Sequence, residues 1–210
     1  MKKFFHIHER NTRRGFSIIE LMISISIFTI LTTSFLAGYN RFNKRISVDT
    51  LAHQIGQWVR DAQISAMGTR KTVGGTNFPG YGLHFDIASS TQFIYFADLN
   101  NNRRYDAGGT CGNAGVECEQ VITLLQGNSI QSLFGDTSPG NSVTSLCSPY
   151  DTSSVFDITF RRPNPDATIN GDLNGVSFPQ SYSVARISVI SPSGYTRVVE
   201  IWITAQVSIQ

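Results

Sequence analysis

Residues 16–38 read FSIIELMISISIFTILTTSFLAG, and this run constrains the fold more than any other part of the chain. A helix of about 20 such residues spans the hydrocarbon core of a bilayer. Lys2, Lys3, Arg10, Arg13 and Arg14 precede it, with Glu9 as the single acid among them. That bias places the N-terminus in the cytoplasm and the chain beyond the run outside. A secretory signal has a shorter apolar core and a small-residue cleavage site after it. Here the unusual junction, Arg13-Arg14-Gly15-Phe16, lies before the run. Glu20 interrupts the apolar pattern, and a carboxylate in lipid costs about 2.5–3.5 kcal/mol on insertion scales. Either it is tolerated near the interface by snorkelling or protonation, or it meets a cation when subunits pack.

The stretch Arg14-Gly15-Phe16-Ser17-Ile18-Ile19-Glu20-Leu21 resembles the prepilin cleavage and methylation motif of type IV pilins and type II secretion pseudopilins. In that family a membrane aspartyl peptidase cuts after the glycine and methylates the new N-terminus. The resemblance therefore implies a cut between Gly15 and Phe16, N-methylation of Phe16, and an assembly role for Glu20, the fifth mature residue. It also implies that Glu20 pairs with the N-terminal amine of a neighbouring subunit, which suits a carboxylate that needs a cation in lipid. A residue without Cβ at position 15 lets a protease approach the scissile bond closely. The implied partners are prepilin peptidase, other pilins or pseudopilins in a filament, and the inner membrane. The implied location is single-pass in that membrane, with the head outside the cytoplasm and the subunit in a filament after assembly.

Charge supports the division. The chain carries a formal net charge of +2, but residues 1–15 hold five basic side chains against Glu9, a net +4. The chain beyond the leader is left at −2, so nucleic acid is not expected as a partner. Charged residues make up 15% and hydrophobic ones 40%. That is fewer charges than the roughly 25% of soluble domains, with enough apolar mass for a packed core. Ser24, Ser26, Thr29, Thr32, Thr33 and Ser34 make the span unusually polar. Such hydroxyls either bond back to their own helix or meet other helices.

Beyond Arg45, Leu51, Ile55, Trp58, Ala62 and Ala66 recur at helical spacing. One helix is predicted from about Phe16 to Met67, roughly 75 Å long, ended by Gly68. Strands are predicted at 81–86, 91–96, 121–125, 155–160, 185–190 and 197–204, with a turn at Ser191-Pro192-Ser193-Gly194. The stretches 126–154 and 161–183 are rich in turn residues and read as long loops. The fold class is α+β, a pilin-type helix packed against an antiparallel sheet. The expected divisions are leader 1–15, transmembrane and filament-core helix 16–38, amphipathic half-helix 39–68, and β-rich head 69–210. Within the family the layout is most similar to GspH/FimT-type minor pseudopilins. The residues behind this are Arg60-Asp61-Ala62-Gln63, Ile64-Ser65-Ala66, the loop Phe96-Ala97-Asp98-Leu99-Asn100 and the terminal strand pair.

Asp98, Asn100, Asn102, Arg104 and Asp106 fall at positions 1, 3, 5, 7 and 9 of a calcium loop, Arg104 through its carbonyl. Arg103 replaces the usual glycine at position 6, and Gly109 replaces the glutamate at position 12. The same residues also read as a solvated Asx turn. Calcium is the one cofactor candidate, and none is required. Cys111 and Cys118 make the simplest disulfide in an oxidising exterior and leave Cys147 odd, although either cysteine could pair with Cys147. Zinc is disfavoured, because His53 and His84 lie far from the cysteines in sequence. Arg103-Arg104 and Arg161-Arg162 read as solvated basic pairs. No Walker loop, GxSxG, HExxH or GxGxxG in a βαβ setting occurs, so an enzyme is not expected. The leading function is a minor pilin or pseudopilin; the alternative is a filament-borne module for DNA uptake or adhesion.

Overall fold

The computed structural model describes residues 15–68, 70–72, 78–136, 152–173 and 176–210. The chain divides into two units, Met1–Arg41 and Phe42–Gln210, with the boundary inside a single helix. That helix, α1, runs Ile18–Met67.

In the first unit, α1 shows apolar side chains on all sides. From Phe16 to Leu36 they are 53% to 81% exposed. Ile18–Leu36 is long and apolar enough to cross a membrane. Ser24, Ser26, Thr29, Thr32 and Thr33 each donate to the carbonyl four residues back, at 2.7–2.8 Å. These hydroxyls are satisfied inside the helix, which is the first of the two roles open to them.

The second unit has eleven strands among the described residues, packed with the other half of α1. They are β1 (Gly80–Asp86), β2 (Gln92–Asp98), β3 (Cys118–Thr123), β4 (Ser129–Asp136), β5 (Thr152–Ser153), β6 (Val155–Arg161), β7 (Asn164–Leu173), β8 (Val176–Tyr182), β9 (Val184–Ile190), β10 (Thr196–Trp202) and β11 (Val207–Ile209). They form two antiparallel sheets, ordered β3-β2-β1-β6-β7-β8 and β11-β10-β9-β4-β5. The α+β expectation holds, with two sheets where one was expected. The stretches read as loops contain β4, β5, β7 and β8. The turn at Ser191–Gly194 forms as expected: Gly194 donates to Ser191 O and takes φ +82.

Between Val48 and Ala66, α1 buries Val48, Leu51, Ala52, Ile55, Val59, Ala62 and Ala66 against the strands. Val59 holds the central position that Trp58 was expected to take. Trp58 lies partly buried on the flank, its ring 5.5 Å from Tyr95. Polar ties flank the stripe. Asn128 donates to Ser47, Arg197 pairs with Asp49, and Arg45 lies 4.4 Å over the Tyr195 ring. The chain passes from the first sheet to the second between Tyr182 and Val184. There a Cβ on Gly135 would lie 2.2 Å from the Tyr182 ring, so only glycine admits that close approach.

The middle of the first sheet is covered on both faces. Tyr81, Leu83, Phe85, Phe156, Ile158 and Phe160 belong to the core cluster around α1. Alternation puts Gly82, His84, Phe96, Asp157, Thr159 and Asn170 on the opposite face. The loop after β2 covers that face. The Tyr105 ring lies 4.7 Å from His84 and 5.6 Å from Phe96. Asn170 donates to the Arg103 carbonyl at 2.9 Å.

Candidate functional site

Gly15, Phe16 and Glu20 lie at the start of α1. Glu20 sits in its first turn, where the helix dipole favours a negative charge, and it is exposed. A Cβ at Gly15 would meet nothing within 4 Å among the described residues. Residues 1–14, the rest of the expected leader, lie outside the described residues.

The loop following β2 is the second candidate. Asp98 Oδ2 accepts from the Arg103 N–H at 3.0 Å. Asn100 Oδ1 accepts from the Asn102 N–H at 3.0 Å, and Asn102 Oδ1 from the Arg104 N–H at 2.8 Å. Both asparagine amides also donate to Asp106 Oδ2, Asn102 at 2.8 Å. Positions 3, 5 and 9 thus meet at one oxygen, and position 1 is tied to position 6. Arg103 adopts φ +63 where a glycine was missing, as does Asn101. Such φ values are uncommon outside glycine, and asparagine tolerates them better than arginine.

Sequence reasoning missed Glu117. Its Oε1 accepts from the Leu99 N–H at 3.1 Å and its Oε2 from the Asp106 N–H at 2.8 Å, so it clasps both ends of the loop. At Gly109 a glutamate would not fit, because φ is +72 and a Cβ would lie 2.7 Å from Val116. The only sequence hint is that Glu117 adjoins Cys118. Cys111 and Cys118 are joined by a disulfide, and Gly112 donates to the Cys118 carbonyl at 2.8 Å. That closure presents Glu117 to the loop. Cys147 lies outside the described residues.

Burial raises the carboxyl pKa of Asp98 above its ordinary value. The N–H groups of Arg103, Asn101 and Asn102, and the Arg161 guanidinium, oppose the rise. Oδ1 closes no hydrogen bond among the described residues, although the Asn101 and Asn102 N–H groups act on the carboxylate. Burial likewise raises Glu117; the Asp106 and Leu99 N–H groups oppose this, while Asp106 and Asp98 add to it. Among the described residues no three His, Cys, Asp or Glu side chains group as a metal cluster. Any ion here would rely on amide and carbonyl oxygens as well, a donor set suited to a hard cation.

The remaining polar groups read as structural. His84 and Asp157 pair at 2.7 Å across adjacent strands, in register. Arg186 bonds Glu200 at 2.7 Å and lies 3.8 Å from Asp136. Arg70, just past α1, donates to Ser65 and Tyr95. The Arg162 guanidinium stacks 4.7 Å over Phe78 rather than standing free in solvent.

Residues 10–36 match the family model described as the prokaryotic N-terminal methylation motif. Comparison with curated proteins and with solved structures returned no match. The motif supports a type IV pilin-like protein of the kind processed by prepilin peptidase.

Proposed function

We propose that the chain is a prepilin, a structural subunit of a type IV pilus or type II secretion filament, in the minor pilin or pseudopilin class of the GspH/FimT type. Residues 1–15 are the leader, and cleavage between Gly15 and Phe16 exposes the amine that is methylated. Residues 16–38 hold the subunit in the inner membrane and later form filament core. Residues 39–68 pack under the head, and 69–210 form the head outside the cytoplasm.

The observation that carries this reading is the exposed apolar first half of α1, which lies within the methylation motif matched over residues 10–36. A helix that is apolar on every side must be covered by lipid or by other helices. Burying such surface releases about 25 cal/mol per Å². Glu20 supplies the polar term: a carboxylate carried into that environment meets the amine of the next subunit. Gly15, whose Cβ position meets none of the described residues, answers to the peptidase.

Co-expression with prepilin peptidase tests the proposal. Intact mass and N-terminal sequencing should show loss of residues 1–15 and a methyl group on Phe16. Gly15→Ala should slow the cut, and Gly15→Trp should block it. A mature N-terminus downstream of Leu36 would contradict the assignment.

A further inference from the structure

The loop from Asp98 to Asp106 is joined by an acid that its own spacing does not supply. Asp98 is 1% exposed, and its Oδ2 is engaged by the Arg103 N–H. Its Oδ1 is sealed from solvent and closes no hydrogen bond among the described residues. A buried carboxylate oxygen with no donor is costly unless a cation or donor reaches it. The group sits at the head of a loop whose other oxygen-bearing side chains converge. Asn100 and Asn102 each use one lone pair of Oδ1 for a backbone N–H and keep another for a ligand. Both reach Asp106. Glu117, 6% exposed, spans Leu99 and Asp106 with its two oxygens and keeps lone pairs of its own.

We propose that this loop is a calcium site formed by Asp98, Asn100, Asn102, the Arg104 carbonyl and Asp106, with Glu117 as the positioning residue that holds the loop's two ends. Five oxygen-bearing groups with water beside them would meet calcium's six to eight ligands. Their mixture of carboxylate, amide and carbonyl suits calcium over zinc, which takes nitrogen and sulfur. Magnesium demands near-ideal octahedral geometry and gives up its waters reluctantly, so an amide-rich loop on a sheet face favours the larger ion. The disulfide has a role here as well. It fixes the backbone that aims Glu117, so the acid arrives from a covalently closed segment rather than from the loop itself. The inference does not depend on the prepilin reading.

The test uses the full-length chain in detergent micelles, with calcium chloride, magnesium chloride or chelator. Tm should rise saturably with calcium, with half-effect at about 10⁻⁴–10⁻³ M, the range of extracellular calcium modules. Magnesium at the same concentrations should give no comparable rise. Asp98→Asn and Asp106→Asn should each abolish the calcium response. Asp106 is exposed, so its variant should keep the fold even if the Asp98 variant does not. Glu117→Gln should weaken calcium binding about 10–100-fold, as for a group that orients a metal's ligands. Asn101→Gly, which keeps the positive φ at a side chain the site does not use, should respond like wild type. Equal melting in about 10 mM calcium and in chelator would overturn the site, given the affinity expected. So would a calcium response that survives in Asp106→Asn.

Discussion

The two halves of α1 are built from similar apolar residues and treat them in opposite ways. Ile27 and Phe28 in the first half are largely exposed, whereas Ile55 and Val59 in the second are sealed against strands. Polar groups follow the same division. In the first half the hydroxyls turn back onto helix carbonyls, and Glu20 stands exposed. In the second, Ser47, Asp49 and Gln63 reach strands or loops of the head. Hydrophobic side chains on a helix therefore report two different things: internal packing where strands answer them, and, on the reading proposed above, a surface for lipid or other subunits where none of the described residues does.

The largest effect should come from truncating an isoleucine in each half. Ile55→Ala should destabilise the head by about 2–5 kcal/mol through lost burial and the cavity left behind. Ile27→Ala should leave the unfolding midpoint of the head unchanged, since its side chain is largely exposed. Denaturant unfolding of both variants in micelles, followed by Trp58 fluorescence, reads the difference. Equal losses would erase the division between the halves.

A smaller effect should appear in alkali and sharpens the account of the buried end. Burial pushes Tyr95 up to about 12, with Asp61 and Tyr81 adding to the rise and Ser65 and Arg70 opposing it. In the unfolded chain tyrosine ionises near pH 10. Between those values the folded state keeps a proton that the unfolded state loses, so stability is full below about pH 10 and falls as pH rises toward 12. Tyr81 shifts in the same direction, so Tyr95→Phe should reduce this loss without removing it. Unfolding midpoints at about pH 9 and about pH 11 measure it. An unchanged slope in Tyr95→Phe would mean that Tyr95 is not held neutral by its surroundings.

Much of the architecture could be read from residue patterns, and the exceptions have physical causes. The helix end at Met67, β1, β2, β6, β9 and β10 follow from spacing and β-branched or aromatic content. The strands β7 and β8 were hidden because Asn164, Pro165, Asp166, Asn170 and Gly171 are turn formers. Here they sit in a ladder where Ala167 and Ile169 alone carry the core. The dipeptide Asn174-Gly175 between Leu173 and Val176, which pair with each other, was the available hairpin signal. Trp58 drew attention by size, yet a large ring fits the flank of the stripe better than the tight centre that Val59 fills. Of the proposed calcium loop, the spacing was legible and the acid that clasps its ends was not. Glu117 reaches it only through the fold of the disulfide-closed segment.

The central claim is that the first half of α1 is an assembly surface, with Glu20 as its polar contact. The most direct measurement compares wild type and Glu20→Ala in cells that make filaments, scoring the mature subunit in membrane and sheared-filament fractions. The account predicts that Glu20→Ala is cleaved after Gly15 and held in the membrane at least as well, because a buried charge has been removed. It also predicts loss of the subunit from the filament fraction, because the neighbour's amine has no partner. Wild-type recovery of Glu20→Ala in sheared filaments would contradict the claim.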